Sequence, residues 1–178
     1  LAVGQEAVVV DLAAVRVAQL RHQPELLLDP QDAGLVAGVL VGHDLHGYVP
    51  ARPGNLVEAQ AYHTPQARAL QAGGVDMLAA VTLTNVDEAV GIVRAASEVG
   101  LPVTVSFTVE TDGRLPTGMS LAQAVDHVDT ETDSVPAYYG INCAHPSHIE
   151  PALGVGGAWS RRIRCIRANA STRSHAEL

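Results

Sequence analysis

The chain contains no lysine; all eleven of its basic residues are arginine. That absence excludes a Schiff-base aldolase and a pyridoxal-phosphate lysine, since both need a nucleophilic amine. It also excludes a phosphate-binding loop, whose motif ends in Gly-Lys-Ser/Thr. Aromatic residues are only 3% of the sequence, and no stripe of basic residues alternates with them, so nucleic acid is not an expected partner. No apolar run approaches the roughly 18 residues that span a bilayer, so no membrane partner is expected either. The two cysteines, Cys143 and Cys165, make neither a disulfide framework nor a Cys-x-x-Cys pair. Free thiols and a cytoplasmic location are the simplest account. The first residues, Leu1 to Glu6, lack an initiator Met and the basic start of a signal peptide, and read as the interior of a longer sequence.

What is present is apolar and small. Hydrophobic residues make up 47% of 178 residues, mostly Ala, Val and Leu, a composition suited to helices packed on parallel strands. The length favours one domain with a sizeable core. The formal net charge is −8. Acid is concentrated between Glu110 and Asp133, and base in Arg161, Arg162, Arg164, Arg167 and Arg173; solvated faces are the default explanation of that contrast.

Hydrophobic spacing and capping residues mark alternating elements. A helix is expected over Gln5–Arg21, a strand over Gly34–Gly42, and a helix opened by Asn55 with Glu58 three residues on, stopped at Gly73-Gly74 and kinked or divided at Pro65. A strand over Val75–Thr82 follows, then a helix capped by Asn85 and ending at Gly100. Leu101–Val109 is the strongest strand. A turn-rich loop runs to Gly118, and Ser120 with Gln123 forms a capping box for a helix to about Thr132. Val135–Asn142 is a strand, His148–Leu153 a short helix, and Ile163–Ala168 a fifth strand. Strands alternating with helices imply right-handed βαβ units and a parallel sheet.

Cys143 ends the fourth of these strands, within Gly140-Ile-Asn-Cys-Ala-His-Pro146. An ionisable thiol there, followed by a small residue and a proline stop, is a poor core residue. It is well placed for the mouth of a parallel α/β sheet or barrel, where ligands bind. Asn142 and Asn169 end strands on the same rim; each either lines a substrate pocket or satisfies loop backbone groups. Cys165, near the start of its strand, lies roughly 13 Å below the rim at about 3.3 Å per residue and reads as core. His145 and His148 read as solvated loop residues, with a Cys-x-His-x-x-His metal site as the alternative. His43 and His46, past the first strand, are open to the same two readings. Asp112-Gly113-Arg114 is most simply a turn, its rim location also allowing a lid.

Four segments together resemble the homocysteine S-methyltransferase family, the zinc-dependent thiol methyltransferases. They are Ala72-Gly-Gly-Val-Asp-Met-Leu with Glu88-Ala89, Leu101 to Gly118, Gly140 to Pro146, and Arg167 to Leu178. The resemblance implies a partial (β/α)8 TIM-type barrel of about five parallel strands with intervening helices. A whole barrel of this kind takes about 250 residues, and the order of segments implies the third to seventh strands. Residues 1–178 are then a single incomplete homocysteine-binding domain without the first two strands and the last. The resemblance makes Cys143 one of three zinc-binding cysteines, the other two being adjacent in a Gly-Gly-Cys-Cys-Gly motif that this sequence does not contain. Where many relatives carry Glu-Thr after the third barrel strand, this chain has Val81-Thr82, which puts binding of the substrate amino group in question.

The implied chemistry explains the strand-end thiol. A free thiol has a pKa of about 8.5 and is a weak nucleophile at neutral pH. Zinc held by thiolates takes the substrate sulfur as a further ligand and deprotonates it, and the sulfur attacks the methyl of a sulfonium donor such as S-methylmethionine or S-adenosylmethionine. The implied partners are homocysteine and that donor, and open barrel edges imply an oligomer. Two readings stand beside this one: a truncated or degenerate barrel without catalysis, and an unrelated metal hydrolase using Cys143 with rim histidines.

Overall fold

The computed structural model describes residues 37–41, 45–46, 49–50 and 55–177. The expected helix over Gln5–Arg21, His43 and the side chain of His46 lie outside the described residues. Strand β1 (Ala37–Val41) is followed by β2 (Leu45–His46) and β3 (Val49–Pro50), a two-residue antiparallel ladder. Then come helix α1 (Leu56–Ala72), β4 (Met77–Leu83), α2 (Val86–Glu98), β5 (Val103–Phe107), α3 (Leu121–Glu131), β6 (Tyr139–Asn142), α4 (Pro146–Gly154) and β7 (Ile163–Arg167). Short 3-10 turns cover Trp159–Arg162 and His175–Glu177.

Five strands form one parallel sheet in the order β1-β4-β5-β6-β7. The order follows the chain without reversal. An open doubly wound sheet reverses at a switch point, whereas a barrel wall does not, so the sheet is the expected partial barrel.

Local chemistry sets the helix starts. Asn55 Oδ1 accepts from the N–H groups of Val57 and Glu58 at 3.1 and 3.2 Å, and Asn85 Oδ1 from Glu88 N–H at 2.8 Å. Ser120 and Gln123 make the full capping box, each side chain accepting from the other's backbone N–H. Such caps are worth about 1 kcal/mol each. Pro65 does not divide α1, which is continuous from Leu56 to Ala72. Pro65 and Ala61, whose carbonyl would have received the missing N–H, both lie on the exposed face, where water replaces the lost bond.

The two faces of the sheet differ. Leu78, Ala80, Val103, Val105, Phe107, Tyr139 and Ile141 are fully buried with Val90, Val93, Ala96, Leu121, Val125 and Val128 of the helices. Burying a side chain of this size contributes about 1.5–3 kcal/mol. Gly140 identifies the opposite face, because a Cβ on it would meet Ser106 Oγ at 2.9 Å and Cys165 Cβ at 3.3 Å. Alternation along β6, β7 and β1 then places Asn142, Arg167, Val39 and Val41 on this concave side too. Val39 and Val41 are 58% and 50% exposed, so the concave side is open at β1.

Arg162 departs from the expectation of a solvated basic face. It is half-buried, and its Nε and Nη2 donate to the two Asp129 carboxylate oxygens at 3.0 and 2.8 Å. Tyr139 Oη donates to the same carboxylate at 2.7 Å, and the guanidinium lies 5.2 Å from the Tyr139 ring centroid. Burial and the adjacent Asp129 push the Tyr139 hydroxyl well above the ordinary tyrosine range. This cluster ties α3, β6 and the turn before β7 at the end of the sheet away from Cys143.

Candidate functional site

The carboxyl ends of the strands converge on two strained residues. Thr82, next to the last residue of β4, has φ 60°, and Cys143 follows β6 with φ 57°. Left-handed backbone is uncommon for any residue with a Cβ and a true outlier for a β-branched one. Asn142 ties the two together. Its Oδ1 accepts from Thr82 N–H at 2.9 Å, while its Nδ2 lies 2.8 Å from Thr82 Oγ1 and 3.1 Å from Cys143 Sγ. The register shift between Ala80 and Leu83 turns this tip of β4 towards Asn142. Strain held in place by surrounding bonds concentrates at functional sites.

The backbone of Cys143 is held from the other side. Its N–H donates to Arg167 O at 3.1 Å, and Asn169 N–H donates to Ala144 O at 2.9 Å, extending the β6–β7 pairing past the strand ends. Cys143 O accepts from Asn169 Nδ2 at 3.0 Å and from His175 Nε2 at 2.7 Å. His175 Nδ1 in turn lies 3.0 Å from Glu110 Oε1. Glu110, Cys143, His148, Asn169, Arg173 and His175 line one small cleft at this rim.

Both rim asparagines are beside Cys143, Asn142 on the sulfur side and Asn169 on the carbonyl side. The expected metal alternatives fare differently. His145 is the N-cap of α4, its Nδ1 accepting from Ser147 N–H at 3.2 Å. His148 is buried rather than solvated, because α4 starts two residues earlier than expected and turns the ring inward, where Nε2 meets Thr172 O at 3.2 Å. Cys165 is half-buried rather than a core residue, since it lies on the open concave face of β7. Burial pushes its thiol up, only partly offset by the Arg167 guanidinium, which makes it a poor thiolate donor. Asp112–Arg114 is the expected turn: Asp112 Oδ1 accepts from Arg114 N–H at 3.0 Å. Gly113, at φ 75°, allows that turn to approach α4, because a Cβ there would lie 2.8 Å from His148 O.

Sequence reasoning missed Glu110 and His175 as parts of the site. The only signal for them was membership of the second and fourth family segments.

For zinc, the donor type fits and the donor number does not. Cys143 offers a half-buried soft sulfur at the rim beside an amide donor, but zinc sites take at least three protein ligands. Among the described residues no group of three or more His, Cys, Asp or Glu side chains could hold a metal ion.

Comparison with known proteins adds the following. The family model for homocysteine S-methyltransferase matches residues 11–176. Among solved structures, the homocysteine methyltransferase MmuM from Escherichia coli is similar in its metallated form at a TM-score of 0.62 and 21% identity, covering 88% of this chain and 62% of that one. Its apo form gives 0.59 at 21% identity, covering 88% and 65%. Its oxidized form gives 0.54 at 21% identity, covering 88% and 63%. This likeness is one of fold, and the chain spans less than two thirds of those proteins. No curated protein matches the sequence.

Proposed function

The chain belongs to the homocysteine S-methyltransferase family, and from that premise we propose that it forms the Cys143-bearing wall of an enzyme that methylates homocysteine, giving methionine. The observation that carries the reading is the geometry of Cys143: a thiol at the carboxyl end of a barrel strand, in a left-handed conformation, with bonds to its N–H, its carbonyl and its sulfur. A structural cysteine needs none of this, because free Cys packs well as a small apolar residue.

In this reading Cys143 is the one zinc ligand that the chain contributes, and the two others come from a segment outside these 178 residues. Asn142 and Asn169 border the substrate position while bracing Cys143. The methyl donor is a sulfonium compound, either S-methylmethionine or S-adenosylmethionine. The domain is a single incomplete barrel, and we infer a cytoplasmic setting for it; among the described residues no helix is long and apolar enough to cross a membrane.

The family match also bears on the readings left open by the sequence. An unrelated hydrolase loses its footing, since the chain has a family, His148 is engaged with Thr172 O and His145 caps a helix. A fragment without catalysis of its own is favoured by a specific observation: among the described residues no three His, Cys, Asp or Glu side chains come together to hold a metal, where zinc takes at least three protein ligands.

The experiment measures bound zinc and methionine formation for this chain and for a longer form that includes the adjacent-cysteine motif. The isolated chain is expected to hold no stoichiometric zinc and to transfer no methyl group, with both properties present in the longer form and abolished there by Cys143→Ala. Zinc that survives Cys143→Ala but is lost on replacing His145 and His148 would sink the proposal.

A further inference from the structure

A cysteine at φ 57° sits about 1–2 kcal/mol above its ordinary conformations, so neighbouring bonds must hold it. Its N–H is committed to Arg167 O. The carbonyl is therefore the group whose direction sets the following peptide, and it carries two donors. The shorter bond, 2.7 Å, comes from His175 Nε2, and the His175 side chain is only 6% exposed. Glu110 stands behind the ring, with Oε1 3.0 Å from Nδ1.

The bonding capacities of these groups fix the direction of the contact. A carbonyl oxygen only accepts, and so does an ionised carboxylate. Nε2 therefore donates its N–H to Cys143 O. The three residues are far apart in sequence, His175 lying 65 residues from Glu110 and 32 from Cys143. The contact thus ties the loop after β5, the tip of β6 and the segment after β7 at a single carbonyl.

We propose that His175, backed by Glu110, is a positioning residue: its bond to the Cys143 carbonyl keeps Cys143 left-handed and so aims the sulfur into the rim cleft. Its contact with Cys143 is to the backbone carbonyl, so it positions that residue and is not a catalytic residue. The inference rests on reading Cys143 as the functional sulfur.

The test reads amide hydrogen exchange at Cys143 and Asn169 in the 178-residue chain, together with maleimide labelling of Cys143 against Cys165 as an internal reference. His175→Phe keeps the ring and removes its donors. Glu110→Gln offers Nδ1 an amide N–H and leaves Nε2–H on the carbonyl. With His175→Phe, protection of the two amides is expected to fall about tenfold, the loss of one hydrogen bond. Cys143 labelling is expected to rise several-fold as its loop opens, and the β5 amides to stay protected. Glu110→Gln is expected to remain within about twofold of wild type on both measures, because the amide N–H replaces the carboxylate as the partner of Nδ1.

Wild-type exchange in His175→Phe would overturn the proposal, as would a Glu110→Gln variant as damaged as His175→Phe. Should His175→Phe lose protection throughout β5, His175→Gln, which keeps a donor, decides: the same global loss there means that the ring acts by filling space, and the proposal fails. Zinc is not read in these variants. A zinc-free longer form would refute Cys143 as a ligand while leaving the role of His175 to these outcomes.

Discussion

Asn142 uses every polar atom of its amide. Oδ1 accepts from Thr82 N–H, and Nδ2 serves both Thr82 Oγ1 and Cys143 Sγ, with the residue 5% exposed. Asn142→Asp keeps the shape and the accepting oxygen but exchanges the donor for an acceptor. The hydroxyl of Thr82 can rotate to donate, whereas the sulfur is left facing a carboxylate. The variant is expected to lose about 1–3 kcal/mol, the cost of an unmade bond at a buried polar group, read as a lower urea midpoint with an unchanged slope. An unchanged midpoint would mean that the Thr82–Asn142–Cys143 link contributes nothing to stability. At this scale the rim placement of Cys143, Asn142 and Asn169 was legible, because they lie at or just past strand ends, and strand ends in parallel α/β folds face the ligand side. His175 and Glu110 were not, since their contact spans 65 residues and neither lies in a periodic pattern. His148 was misread as solvated because its burial depends on where α4 begins, and helix ends are poorly defined by local sequence.

Among the elements, the described helices were legible nearly to their ends, through Asn55, Asn85, Ser120 and the glycines that close them. The strands were shorter than their apolar runs: Val135–Asn142 became Tyr139–Asn142, although Ala137 N–H and Tyr138 O already bond Val103 O and Val105 N–H of β5 just ahead of the strand. The β2–β3 ladder was not foreseen, as two residues a side carry no periodicity. What sequence could not show is how closely helices approach. Gly91 of α2 faces α1, and a Cβ there would lie 2.6 Å from Ala59 Cβ and 2.7 Å from Gln60 N. Gly91→Ala gains up to about 1 kcal/mol of helix propensity, but its methyl meets backbone that cannot rotate away, and overpacking costs about 1–3 kcal/mol. The second effect wins, since relief requires moving α1 off α2 and disturbing the buried contact of His63 Nε2 with Glu88 Oε1 at 3.1 Å. A net loss of about 1–2 kcal/mol is expected by urea unfolding. A stabilised variant would show that the two helices separate freely.

At the scale of the whole molecule, the exposed sheet decides how the chain behaves alone. Among the described residues β1 and β7 each pair on one side only, and unpaired strand edges template association. Next to these edges lie Val39 and Val41 on the concave face and Ile166, 39% exposed, on the other. A formal net charge of −8 opposes contact between copies, but that repulsion acts over about 10 Å at 0.1 M salt and about 3 Å at 1 M, while apolar burial between sheets is not screened. Self-association is therefore expected to grow with ionic strength, seen as a rise in weight-average mass by light scattering between low and high salt. Placing aspartate at both Val39 and Val41 removes the apolar contact and adds charge, and is expected to reduce the mass at high salt towards that of one chain. A monodisperse monomer at every salt concentration would mean that residues outside the described set already cover the open face, and the picture of an incomplete barrel with exposed edges would fall.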